Sequence, residues 1–296
     1  MHTLRKNFIL GVFILVEFKR ADSPTTIRSN AVVKVVKLNH IYELTYIGSI
    51  SQVLNNYKRI SKYKMLNIVT GEVIDIIPSV DRSQNINSLR STIKRLRDLI
   101  NANFSGSDNE LFITLTYAEN MTDLRRLYKD FDLFFKKLKY RYKDYTFLYI
   151  SVVEPQERGA WHIHLLLKAL NLKDLYIPNS EIEALWSHGF TKTERLNNVD
   201  NVGAYLSAYL TDFVDNEGKK HKGLRLFMYP SGVNIYRCSR NCVKPEVFKI
   251  NYATAKNFLS DEFKVYEVSY DLFDDCGNLV NSIKKEFYNL KRRSKK

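Results

Sequence analysis

Between residues 111 and 213 the spacing of apolar positions switches repeatedly between the two-residue period of strands and the longer period of helices. "LFITLTY" from Leu111 alternates, with Phe112, Thr114 and Thr116 on one face and Leu111, Ile113 and Leu115 on the other. Leu124, Leu127, Tyr128, Phe131, Phe134, Phe135 and Leu138 then form one helical stripe, with Thr122 placed to cap it. Two strand patterns, "YTFLYISVVE" and "WHIHLLLK", flank "PQERGA" and predict a hairpin. Ser180 and Glu183 make a capping box for a short helix through Trp186 that Gly189 ends. "FTKTERL" reads as a further strand, and Asp200 is placed to cap the helix "NVGAYLSAYLTDF".

Such an order, with a hairpin at its centre, predicts an antiparallel α+β layer with helices packed on one sheet face, not a parallel doubly wound sheet. No Gly-rich phosphate loop follows any strand, so ATP and NAD are not implied. Residues 30 to 80 read as a small β-rich lead segment built from "AVVKVVKL", "YELTYIG" and "MLNIVTGEVIDII". Leu89, Ile93, Leu96 and Ile100 share one face of a basic helix. Residues 219 to 245 mix basic and aromatic side chains around a Pro-Ser-Gly turn and predict a hairpin, and the closing "KRRSKK" is expected to be disordered. The division expected is residues 1–83, 84–215 and 216–296: a β-rich segment, a central domain and a basic C-terminal extension.

Charge narrows the class of partner. Lys plus Arg number 46 against 32 Asp plus Glu, giving a net charge of +14, which suits a polyanion such as nucleic acid. The apolar run Phe8 to Val16 follows Arg5 and Lys6 but has no small-residue cleavage site and is too short to span a membrane. It reads as a buried strand or an extension upstream of the true start. Cys238, Cys242 and Cys276 make no disulfide framework, so a reducing cytoplasm is the expected location. A zinc site at Cys238 and Cys242 would need a ligand such as His221 as well, and free thiols are the simpler reading.

The chain has six histidines, and two of them, His162 and His164, occupy alternate positions of an apolar strand. They share a face, with Ile163 pointing the other way, and form half of a shell for a divalent metal. A carboxylate completes the set. Glu154 reaches the same face only if it pairs opposite an even-numbered residue such as His162, leaving residues 155 to 161 to turn. Glu157, on the loop, is the second choice. Two imidazoles and one carboxylate leave coordination positions open for a substrate oxygen, on a basic protein a phosphodiester.

"AYLSAYL" places Tyr205 and Tyr209 one helical turn apart. At about 100° per residue, Tyr209 falls near the centre of the stripe of Val202, Leu206 and Phe213, and Tyr205 at its edge. Tyr205 is therefore the better attacking phenol. A free phenol titrates near 10, so a metal or base must help to ionise it.

Taken in order, "FITLTY", "EPQERGAWHIH" and "VGAYLSAYL" resemble the HUH endonucleases, specifically the rolling-circle replication initiator (Rep) proteins of Gram-positive plasmids and related mobile elements, over residues 84 to 245. The resemblance implies a five-stranded antiparallel palm (ferredoxin/RRM-like) with Mg²⁺ or Mn²⁺ at His162, His164 and Glu154. Tyr205, with Tyr209 as a second tyrosine, would nick single-stranded origin DNA, forming a 5′-phosphotyrosyl link and a free 3′-OH, and later rejoin strands. A host helicase and DNA polymerase would be partners. Histidines before tyrosine fit initiators better than conjugative relaxases. Many initiators carry a lysine three residues after the nucleophile, where this chain has Ala208 (Asp212 after Tyr209), and Lys192 is a candidate substitute. Arg158, Lys192, Arg225, Arg237, Arg240 and Lys244 are candidate DNA contacts, with Tyr236 able to stack on a base. The competing readings are a non-cleaving DNA-binding relative and a metal hydrolase that activates water.

Overall fold

The alternating segments pair into sheets in a computed structural model, which describes residues 17–48, 57–76 and 86–292, apart from 69, 157, 198, 211–212, 215–219, 222–227, 231 and 275. In chain order the strands and helices are β1 (Glu17–Arg20), β2 (Val32–Leu38), β3 (Ile41–Ile47), β4 (Tyr57–Arg59), β5 (Lys64–Asn67), β6 (Val73–Asp75), α1 (Ile86–Asn103), β7 (Glu110–Thr116), α2 (Leu124–Arg141), β8 (Phe147–Pro155), β9 (Trp161–Ala169), α3 (Asn179–Trp186), β10 (Thr191–Arg195), α4 (Val202–Leu210), β11 (Phe213–Val214), β12 (Lys220–His221), β13 (Tyr236–Cys238), β14 (Glu246–Asn251), α5 (Tyr252–Phe258), β15 (Lys264–Phe273) and β16 (Leu279–Asn289). They divide into two units, one from residues 79–244 and one that joins both ends of the chain.

The central unit carries a five-stranded antiparallel sheet in the order β10-β7-β9-β8-β13. Helices α2 and α3 cover one face, where Phe131 and Phe135 meet Tyr149 at 5.4 and 4.5 Å and Trp186 meets Phe134 at 5.9 Å. Helices α1 and α4 cover part of the other: the Phe112 ring lies 6.3 Å from Tyr205, and Lys168 donates to the Asn103 carbonyl. The fold is thus the expected α+β palm, but with helices on both faces where one was expected. The reason lies in the strands. Ile150, Leu166 and Phe112 are as buried as Ile113, Leu165 and Leu167 on the reverse side, so two apolar faces had to be covered.

Caps also sit one residue along from their expected places. Asp123, not Thr122, accepts from Arg125 N–H at 2.8 Å, while the Thr122 carbonyl accepts from the Trp161 indole. Asn201, not Asp200, accepts from Ala204 N–H at 2.9 Å. No capping box opens α3, whose N-cap is Pro178; Asn179 is instead bonded to Thr191 and Thr193 of β10.

The second unit corrects the expected division into three consecutive segments. Its six-stranded sheet runs β1-β15-β16-β3-β2-β14, so strands from both chain ends alternate within one sheet. Glu17 pairs with Phe273, Ile47 with Ile283 and Lys37 with Glu246. Ala255 of α5 and the adjoining Leu259 pack on this sheet with Val33, Val35, Leu44 and Tyr288. Residues from 246 on are therefore structural strands of this unit, not a basic extension. The expected hairpin in 219–245 is also replaced: β13 pairs with β8, and β12 with β11. The run Phe8 to Val16, the closing basic tail and Arg225 lie outside the described residues. Among the described residues no helix is long and apolar enough to cross a membrane.

One buried ion pair ties the α1–β7 connection to the sheet. Glu110, with 0% exposure, accepts from the backbone N–H groups of Ser105, Gly106 and Ser107 and from Lys168 Nζ at 2.9 Å. Removing the carboxylate strands these donors and the lysine charge. Glu110→Ala is expected to cost about 3–5 kcal/mol, as a lower denaturation midpoint at unchanged slope; a loss below about 1 kcal/mol would refute this role.

Candidate metal centre and nucleophile

Register decides which carboxylate joins the histidines. Glu154 lies opposite His162, Val152 opposite His164, and Pro155 opposite Trp161, so the ladder runs one pair beyond the minimum and residues 156–160 make the turn. Gly159 takes φ +86° there, a left-handed conformation that favours glycine. Gln156 N–H bonds to the Ala160 carbonyl and Gly159 N–H to the Gln156 carbonyl. On the far face Trp161 fixes the strand end: its backbone N–H donates to Met121, its indole to Thr122, and its ring meets the buried Tyr229 edge-on at 5.1 Å.

This pairing brings His162 Nε2 to 2.9 Å and His164 Nε2 to 2.8 Å from the same oxygen, Glu154 Oε2. The three candidate ligand atoms lie within 4.8 Å of one another. Burial pushes the Glu154 carboxyl up, but the two imidazoles outweigh it and hold the group down at about 2. Burial drives His164 below the ordinary histidine value, partly offset by its bond to Glu154. The site therefore presents an anionic oxygen and a neutral imidazole at neutral pH, the states in which both can act as ligands.

Outer contacts orient the rings. Thr114 Oγ1 lies 3.4 Å from His164 Nδ1, and the Gln156 amide 3.4 Å from His162 Nδ1. Ligation through Nε2 leaves the proton on Nδ1, which Thr114 is placed to accept. Two nitrogens and one oxygen with open positions fit a catalytic transition-type ion such as Mn²⁺ better than Mg²⁺, which prefers an all-oxygen shell.

Tyr205 is half-buried and reaches the same face from α4. Phe112 links it to the centre: the ring stacks on His164 at 5.5 Å and 15° and takes Tyr205 edge-on at 6.3 Å and 83°. Helix α4 is held close to α1 through Asn101, which accepts from Gly203 N–H at 2.8 Å and donates to Asn201. A Cβ at Gly203 would come within 2.7 Å of the Arg97 carbonyl, so only glycine permits this approach. Phe112, Thr114, Gln156 and Gly203 were not singled out in the sequence as site residues. Strand alternation carries the signal for Thr114 and Phe112, which share the histidine face.

The remaining candidates divide. Arg158 Nε donates to Gln156 beside the centre. Lys192 stands in one row with Thr114 and His164, but is paired with Glu194 at 2.9 Å. Arg240 and Lys244 are exposed in the segment after β13. Arg237 departs from expectation: its guanidinium pairs with Asp132 at 3.1 Å and lies over Tyr128, both on α2, so alternation turns it away from the metal face. Glu157 and the Tyr209 side chain lie outside what is described.

Residues 110–214, which contain all of these candidate ligands and both tyrosines, match the family model for replication-associated proteins of the ORF2 type. The chain is also similar to the phasyl DNA replicon protein arp of Escherichia coli, at 28% identity over 148 residues, covering 42% of this chain and 50% of that one. The chain thus spans about half the length of the curated relative it matches. Both similarities support a replication-initiator family and an association with replicons.

Metal affinity should fall with acid because protons compete for imidazole nitrogen, not because Glu154 is neutralised. Mn²⁺ binding followed by calorimetry is expected to be constant near pH 7–8 and to weaken through the histidine range around 6.5, well above the carboxyl value of about 2. Binding that persists unchanged to pH 4 would exclude the histidines as ligands. Gly203→Ala is expected to displace α4 and lower any Tyr205-dependent reaction by about tenfold or more while leaving Mn²⁺ affinity intact.

Proposed function

We propose that this protein is a rolling-circle replication initiator of the HUH type, a metal-dependent enzyme that nicks single-stranded origin DNA and transfers the strand through Tyr205. The observation that carries the reading is the convergence of His162, His164 and Glu154 on one point of the sheet face to which α4 delivers Tyr205. Similarity to replication-associated and replicon proteins supports the class of DNA process.

In this mechanism His162, His164 and Glu154 hold a divalent ion, Mn²⁺ or Mg²⁺, which when bound polarises a non-bridging oxygen of the scissile phosphate. Tyr205 Oη attacks phosphorus, the bond to the 3′ oxygen breaks, and a 5′-phosphotyrosyl link replaces it. The phenol gives up its proton and the departing 3′ oxygen takes one, so the strand ends in a 3′-OH that a polymerase can extend. Reversal by a second 3′-OH rejoins strands and frees the tyrosine. Arg158, exposed in the turn beside His162, is suited to a phosphate adjoining the cleaved one.

The test is incubation of the protein with labelled single-stranded DNA from its replicon in Mn²⁺ or in EDTA, followed by denaturing electrophoresis. Wild type is expected to give a metal-dependent covalent adduct mapping to the Tyr205 peptide. Tyr205→Phe should abolish it, and Glu154→Gln should reduce it at least a hundredfold. Cleavage by Tyr205→Phe at the wild-type rate would instead establish a hydrolase that activates water.

A further inference from the structure

A groove opens between α1 and β13 on the same sheet face as the metal ligands. It is lined by Ser88, Thr92 and Arg95 of α1 and by Asn234, Tyr236 and Cys238, and holds about 560 Å³, comparable to small-ligand sites. Register locates it. Tyr236 pairs with Val152 and Val152 with His164, so the three side chains stand in one row. Two strand spacings, roughly 10 Å, separate Tyr236 from His164.

Its chemistry is an aromatic ring, a cation and short hydroxyls. The Arg95 charge acts on the Tyr236 phenol, which places the two near each other. Arg95 Nε donates to the Ser91 carbonyl, which steadies an otherwise exposed side chain. Thr92 Oγ1 donates to the Ser88 carbonyl and keeps its lone pairs for an incoming donor. A sugar-phosphate backbone alone has no use for a partly buried ring. A base inside a duplex cannot enter a recess, because both its faces are stacked.

We propose that this groove seats an unstacked nucleobase of single-stranded DNA, with Tyr236 as the stacking platform and Arg95 on the flanking phosphate. It rests on the proposed function for which strand is bound, and it makes the α1–β13 groove a second anchor that fixes the strand's register over the metal centre. Arg237 has no part in it, since its side chain belongs to the α2 face.

The chain carries its own reporter. Cys238 lines the groove and is exposed, Cys276 is exposed in the other unit, and burial pushes the Cys242 thiol up to about 11, which makes it slow to react. Maleimide labelling of the whole protein in EDTA, with and without oligo(dT) of roughly 20 nucleotides, is expected to show at least fivefold protection of Cys238 and none of Cys276. The same strand annealed to oligo(dA) should protect far less. Anisotropy in EDTA should show oligo(dT) affinity about tenfold or more weaker in Tyr236→Ala, restored in Tyr236→Phe, and a salt slope shallower by about 0.7–1 in Arg95→Ala. Undiminished Cys238 labelling at saturating oligo(dT), equal protection by the duplex, or wild-type affinity in a folded Tyr236→Ala would each overturn the proposal. If Tyr236→Ala does not fold, Cys238 protection in the wild type decides alone. Neither arm uses metal or Tyr205, so an absent covalent adduct would count against the nicking reading and leave the groove standing.

Discussion

The pairing register of β8 on β9 is the constraint on which the candidate site depends. A strand sends successive side chains to opposite faces, so a slip of one residue would turn Glu154 toward α2 and leave His162 and His164 without a carboxylate. Nothing at the metal face itself enforces the register. It is set on the other side, where Trp161 is bonded to Met121 and Thr122 and packed on Tyr229, and at the turn, where Gly159 accepts a conformation closed to most residues. The geometry of the three candidate ligands is thus a consequence of apolar packing one sheet thickness away.

Helical cover on both faces divides the sheet by task. The α2 side is closed by aromatic packing, and the α1–α4 side is closed only over its lower part, where Phe112, Leu166 and Ile150 are buried. Beyond that edge the same face turns polar through Thr114, Thr116, His162 and Glu154. The centre sits at the boundary, partly desolvated yet reachable. Burial keeps His164 from protonating, and the two imidazoles keep Glu154 ionised against its own desolvation, so the states needed for ligation come from location as much as from residue type. Phe112 belongs to both regions, since it closes the covered part and carries His164 and Tyr205 on its ring.

Much of this was legible locally. The central strands and helices follow from apolar spacing, and the preference for Glu154 over Glu157 follows from parity once the hairpin is drawn. Register itself was not legible, because "PQERGA" permits more than one turn length and only tertiary packing selects among them. Cover on both faces had a signal in the unbroken Leu165, Leu166 and Leu167, which no strand with one wet face would carry. Arg237 could have been assigned by alternation: it stands one residue from Tyr236 and must face the other way. The union of the chain ends had no local signal at all. Pairs such as Glu17 with Phe273 leave each strand looking like an independent segment until the sheet is assembled.

Ionisation of the nucleophile is where local and global constraints meet. A phenol set edge-on against Phe112 is in an apolar neighbourhood that disfavours the phenolate, and no lysine stands three residues on, where Ala208 is found. Lys192, the candidate substitute, is already paired with Glu194 and lies across Thr114 from His164, at the sheet edge. On the proposed reading, the positive charge that favours Tyr205 as a phenolate is therefore the ion held by the histidines. Attack then requires metal, strand and tyrosine together, which makes the centre inert toward DNA until all three are assembled.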